Sequence, residues 1–196
     1  MKILMLADEE SRYLYDYYRP GALKGYELIL SAGDLRGEYL SFIVTMANRP
    51  LLYVPGNHDG RYAQRPPEGC ENIDGRLVKI NGLRILGLGG SYMYNGGPHQ
   101  YTERQMRRKI RRLSFQLWRH RGVDVVLSHA PVYGCGDMAD PAHRGFECFR
   151  DLIEKYQPKL WVHGHVHQRY GHEFVRERRI GDTRVINACG KHECEI

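Results

Sequence analysis

The strongest constraint on the fold of this 196-residue chain is a repeated junction, in which an apolar run of strand length stops at metal-ligating side chains. Leu51-Leu52-Tyr53-Val54 is stopped by Pro55-Gly56, and Asn57-His58-Asp59 follow at once. Short apolar runs bounded by turn residues read as buried strands. In an open α/β sheet, ligands bind beyond the carboxyl ends of the strands. The junction recurs at four more places. Lys2 to Ala7 ends at Asp8-Glu9-Glu10, Tyr26 to Ala32 at Gly33-Asp34, Val123 to Leu127 at Ser128-His129, and Lys159 to Val162 at His163-Gly164-His165-Val166-His167.

The segments between these strands supply helices and hairpins. A helix is expected from about Glu38 to Ala47, with Tyr39, Phe42, Ile43 and Met46 on one face. Arg76 to Ile80 and Leu83 to Leu88 flank Asn81-Gly82, a strong hairpin signal. Gly87 to Gly97 reads as a flexible loop, because it lacks the strand-to-helix spacing of a nucleotide fingerprint. Thr102 and Gln105 form a capping box for a long helix reaching about His120, with Met106, Ile110, Leu113, Leu117 and Trp118 as its buried stripe. A further helix spans about Phe146 to Tyr156, and the tail offers strands Glu173 to Arg178 and Arg184 to Ala188 turned at Gly181-Asp182. Strand–helix–strand units followed by hairpins predict one α/β domain over residues 1–196, a mixed sheet system with helices outside.

Composition narrows the setting. Hydrophobic content of 42% and charged content of 27% suit a soluble globular protein. No run approaches the ~18 apolar residues of a membrane span, and the first apolar run meets Asp8 where a signal peptide would continue. Five irregularly spaced cysteines read as reduced thiols, so a cytoplasmic location is expected. Cys189, His192 and Cys194 lack the paired second half of a structural metal site. The net charge of +6 permits anionic partners. Arg104, Arg107, Arg108, Lys109, Arg111 and Arg112 crowd one helix, read here as a solvated face. Few aromatics interleave with them for base stacking, so nucleic acid is not the favoured partner. Nothing in the sequence signals an oligomeric state.

The strand ends together carry carboxylates, imidazoles and one amide, a donor set for hard or borderline divalent cations. In order, Asp8-x-Glu10, Gly33-Asp34, Gly56-Asn57-His58-Asp59, His129 and Gly164-His165-x-His167 resemble the motifs of the calcineurin-like metallophosphoesterase superfamily. Each motif is weak alone; all five in order are specific. The resemblance implies a four-layer α/β/β/α sandwich of two mixed sheets flanked by helices. It also implies hydrolysis of a phosphate mono- or diester by a hydroxide that two divalent metals activate.

Carried over by residue, Asp8, Glu10, Asp34 and His167 would hold the first metal, and Asp34, Asn57, His129 and His165 the second, with Asp34 bridging. His58 would protonate the leaving oxygen and Asp59 orient it. Manganese or iron is the expected metal, with zinc or magnesium as alternatives. The family's first motif usually reads Asp-x-His, so Glu10 is a departure, although strand alternation favours it over Glu9 beside Asp8. With Glu10 ligating, two divalent ions, three carboxylates and one hydroxide sum to zero charge, which favours harder ions at the first site. His143, Arg144, Arg36 and His99 are candidates to hold the phosphate of a small phosphate ester or nucleotide substrate. Two other readings stay open: an inactive interaction module of the same fold, and a nuclease.

Overall fold

The computed structural model describes residues 1–168 and 174–196. The chain runs through β1 (Lys2–Ala7), β2 (Leu28–Ser31), α1 (Gly37–Ala47), β3 (Leu51–Tyr53), a 3-10 turn (Asp59–Ala63) and β4 (Glu71–Asn72). Then come β5 (Leu77–Ile80), β6 (Leu83–Leu88), β7 (Ser91–Tyr92), β8 (Gln100–Tyr101), α2 (Glu103–Arg112) and α3 (Ser114–Arg119). The last third holds β9 (Val125–Ser128), α4 (Glu147–Tyr156), β10 (Leu160–His163), β11 (Glu177–Ile180), β12 (Thr183–Asn187) and β13 (Gly190–Glu195).

Two large mixed sheets form, in the orders β13-β1-β2-β3-β4 and β11-β12-β10-β9-β6-β5. Within them β1, β2, β3 and β4 are parallel, as are β6, β9, β10 and β12, while β13, β5 and β11 run antiparallel to their neighbours. Side-chain alternation explains the layering. From β1, Ile3, Met5 and Ala7 pack between the sheets with Ile85, Val125, Leu127 and Val162. Leu4 and Leu6 of the same strand point the other way, onto Tyr39, Leu40 and Ile43 of α1. On the far side, Leu86, Val126 and Trp161 meet Met106, Phe149 and Leu152 of the helices. Three apolar layers between four structural layers give the expected α/β/β/α sandwich. Each fully buried Leu, Ile or Phe contributes about 1.5–3 kcal/mol, so the three layers together dominate stability.

The Asn81-Gly82 turn has φ of 49° and 81°, the double left-handed turn that matches strand twist. The Thr102–Gln105 capping box is present in both directions. The long helix to His120 is instead two helices broken at Leu113, where Ser114 Oγ takes the Arg111 carbonyl at 2.6 Å and competes with the backbone ladder. The break re-aims α3. Leu117 stays buried, but Trp118 is 74% exposed and Phe115 66%, so Trp118 is not part of the buried stripe. Met46 is likewise exposed on α1. Part of the loop Gly87 to Gly97 is ordered by the β7–β8 pairing. In the tail, Glu173 lies outside the described residues, and the strand expected there begins at Glu177. Among the described residues no helix is long and apolar enough to cross a membrane.

Candidate metal centre

The parallel strands of both sheets end at one rim, and the side chains expected to ligate sit in the turns just beyond. Glycines let those turns approach. A Cβ on Gly56 would lie 2.1 Å from Asp34 Oδ1 and 2.7 Å from His129 Cε1, and one on Gly164 would lie 2.8 Å from Asp8 Oδ2. Asp8, Asp34 and His165 hold left-handed backbone with φ of 62°, 58° and 71°. Such conformations cost on the order of 1–3 kcal/mol each and persist only where surroundings over-determine them. Here the Asp8 carboxylate accepts from the His165 amide at 2.9 and 3.0 Å, and the Asp34 amide donates to Asp59 Oδ2 at 2.7 Å.

The tautomers follow from backbone carbonyls. His129 Nδ1 lies 2.7 Å from the Ala32 carbonyl, and His165 Nε2 lies 2.7 Å from that of Ala142, so each of these nitrogens carries its ring's proton. The other two, His129 Nε2 and His165 Nδ1, face each other at 3.1 Å, and in the neutral rings both present lone pairs. Asn57 Oδ1 stands 3.0 Å and Asp34 Oδ2 3.4 Å from the same His129 Nε2. Asn57 is oriented by Tyr94, whose hydroxyl receives Nδ2–H at 3.2 Å. Four acceptors around one point repel unless a cation joins them, and rings whose far nitrogen donates to a carbonyl are oriented as metal ligands. The donor set therefore fits a divalent cation.

The sequence agrees with the geometry. A family model described as calcineurin-like phosphoesterase matches residues 8–169. The chain belongs to that family. An uncharacterized protein of Methanocaldococcus jannaschii is 28% identical over 177 residues, spanning 86% of this chain and 72% of that protein. A lariat debranching enzyme of Drosophila pseudoobscura pseudoobscura is 28% identical over 153 residues, spanning 61% of this chain but 28% of that enzyme. The fold resembles a crystal structure from Thermus thermophilus, with a TM-score of 0.63, 17% identity and coverage of 96% of this chain and 89% of that one.

The electrostatics of this cluster favour positive charge. Burial alone would lower the His129 pKa, but Asp34 and then Asp8 outweigh it and hold the imidazole at about 9. Without a metal, a second proton on His129 thus takes the cation's place. Burial opposes ionisation of Asp34 as well, yet the charge and hydrogen bond of His129 prevail and keep this carboxylate well below the usual range. Asp8 is pushed up to about 6 by burial, against the pull of His129. His165 falls to about 3 through burial and the neighbouring His129, which keeps its Nδ1 lone pair free of protons.

Of the residues expected at the site, Asp34, Asn57, His129 and His165 converge directly, with Asp8 bound to the His165 turn. His167 is near enough to pull on the Asp8 carboxyl, its Nδ1 lies 3.7 Å from Glu9 Oε1, and these two form a second group of potential ligands with Cys189. Glu10 turns away: Arg36 Nε donates to its Oε1 at 2.7 Å and the guanidinium closes a fork on Oε2. Alternation along an extended strand favours Glu10, but the left-handed Asp8 ends the extension and brings Glu9 round instead. Burial pushes the Cys189 thiol up to about 11, so it is neutral in the metal-free chain.

Asp59 does not orient His58. Its Oδ2 accepts the amides of Asp34 and Gly56 at 2.7 and 2.8 Å, tying together the turns that carry Asp34 and Asn57. The exposed His58 donates its backbone amide to Asp34 Oδ1 at 2.8 Å and borders a cleft of about 470 Å³ shared with Arg36, Arg61 and Arg65. His143 sets its ring 5.2 Å from that of His165 at a tilt of 41°, with Nδ1 2.9 Å from Asp140 Oδ1. Arg144 lies over the Tyr92 and Tyr133 rings and pairs with Glu147 at 2.9 Å. His99 turns the chain at φ 50°, and its carbonyl accepts the Ser91 amide at 2.9 Å, a structural post. Sequence reasoning missed Tyr94, Arg61 and Arg65, since one lies in a glycine-rich loop and the others follow the motif as ordinary turn residues.

Proposed function

We propose that this chain hydrolyses phosphate esters at a two-metal site formed by Asp8, Asp34, Asn57, His129, His165 and His167. The observation that carries this reading is the gathering of three further acceptor atoms around His129 Nε2. When bound, two divalent cations lower the pKa of a water and neutralise phosphoryl oxygens. Asp34, held anionic, is the carboxylate suited to lie between the two ions. Tyr94 keeps the Asn57 carbonyl turned to the ligands, and Asp59 holds the two turns in register through their amides.

His58 lines the arginine-bearing cleft, where an imidazole can deliver a proton to a departing oxygen. Arg61 and Arg65 in that cleft offer forked contacts to anionic groups of the substrate away from the scissile phosphorus. Small phosphate esters and nucleotides fit this chemistry. The test uses the full chain with an aryl phosphate monoester and diester and an alkyl diester, each with manganese, iron, zinc and magnesium. Metal-dependent turnover is expected, and His58→Ala should slow the alkyl ester by about 10²–10⁴-fold and the aryl esters less, since their leaving groups need no proton. Absence of turnover with any metal in a folded chain would refute the proposal and favour an interaction module.

A further inference from the structure

We infer that Glu9 and Cys189, with His167, form a thiolate-containing site for the first metal, which makes this centre selective for zinc over manganese and magnesium. The inference rests on the two-metal reading and names the ligands of one of its ions. Ligand atoms of Glu9, His167 and Cys189 all lie within 4.8 Å of one another. Two nitrogen or oxygen ligands about 2.0–2.1 Å from a tetrahedral zinc are about 3.3 Å apart, and a sulfur at about 2.3 Å stands slightly farther. The 3.7 Å between His167 Nδ1 and Glu9 Oε1 is already close to such an edge.

The topology explains why a cysteine arrives there. Cys189 follows β12 of one sheet and precedes β13 of the other, at the point where the chain crosses between them. It forms a bridge with Ala7, the residue before Asp8, and its amide donates to Asn187 Oδ1 at 2.9 Å. The thiol is therefore fixed at the same rim as the ligating turns. Glu10, the other acidic residue of the first turn, is instead held in a fork by Arg36.

The plain alternative is that Cys189 packs as a small apolar side chain beside an acid–imidazole pair. Its placement argues otherwise. Cys135, Cys148 and Cys194 are also buried, yet among the described residues none of them joins a group of potential ligands. Glu9, His167 and Cys189, with Asp34 shared between the ions as in the two-metal reading, make a four-donor set, and zinc in catalytic sites can expand to a fifth position for water or substrate. Thiolate favours zinc over the oxygen-seeking manganese and magnesium, and an ion that binds a thiol removes its proton.

Cobalt(II) reports such a site directly, through the near-ultraviolet charge-transfer band of a cobalt–thiolate bond. The chelator-stripped full chain should bind two cobalt ions and show the band. Cys189→Ser should abolish it, and Cys194→Ser should leave it unchanged. Zinc held against excess manganese by the wild type should weaken by at least about 10–100-fold in Cys189→Ser, the range that even outer-shell changes reach. Glu9→Gln, at a partly exposed position, provides a second variant that keeps the band while weakening zinc, should the serine variant not fold. Two cobalt ions with no thiolate band would overturn the inference and leave the two-metal reading standing. Binding of no cobalt would overturn both.

Discussion

Gly56→Ala tests the packing of the centre without removing any ligand. The added Cβ would lie 2.1 Å from Asp34 Oδ1, against an ordinary contact of 3.4 Å or more, so carboxylate and turn must separate by about 1.3 Å. Asp34 cannot swing freely, because Oδ1 accepts the His58 amide at 2.8 Å and the opposite side meets His129. Overpacking of this kind costs about 1–3 kcal/mol. Replacing glycine returns about 0.4–1 kcal/mol through the unfolded chain, since Gly56 is not among the positive-φ residues. Global stability should therefore fall by no more than about 2.6 kcal/mol. Metal binding should suffer more: a displaced ligand weakens affinity by upward of about 10–100-fold. At a metal concentration of about 100 times the wild-type Kd, the wild type gains about 2.7 kcal/mol on binding, and a variant about 100-fold weaker gains about 0.4 kcal/mol. Urea unfolding with and without metal measures both quantities. A variant that gains the full wild-type increment would refute the packing argument.

Other perturbations follow from the same geometry. Asp59 is raised from 3.8 to about 6 by burial and then by the charge of Asp34. The neutral form is thus favoured by folding, and the stability it contributes is full below pH 3.8 and lost as pH rises through 6. In the metal-free chain, Asp59→Asn should gain on the wild type by on the order of 3 kcal/mol between about pH 4 and 7, measured by urea unfolding. A difference independent of pH would count against the shift. Trp118→Ala should change stability by no more than about 0.5 kcal/mol, whereas Leu117→Ala should cost about 2–5 kcal/mol. Equal losses would mean that Trp118 is packed, contrary to its exposure.

Much of this molecule is legible in its sequence. β1 spans the expected Lys2–Ala7, because apolar side chains needed on both faces leave an unbroken run. The turns that carry the expected ligands are legible because each sets a small residue beside a polar one, as at Gly33-Asp34 and Gly56-Asn57. The Leu113 break is not, since no proline or glycine marks it and the competing bond comes from a serine hydroxyl. β13 is hidden by composition: it pairs with β1 as an edge strand whose side chains, Cys194 apart, are not buried. That Glu9 rather than Glu10 lies beside His167 turns on one dihedral angle, the left-handed φ of Asp8, which no alternation rule anticipates.

The most direct test of the central claim is metal-dependent turnover of a phosphate diester by the full chain, compared with Asp34→Asn. The account predicts turnover that requires added divalent metal, disappears on chelation and falls by at least about 100-fold when the shared carboxylate becomes an amide. Equal rates in the folded variant and the wild type, or turnover unaffected by chelation, would contradict it.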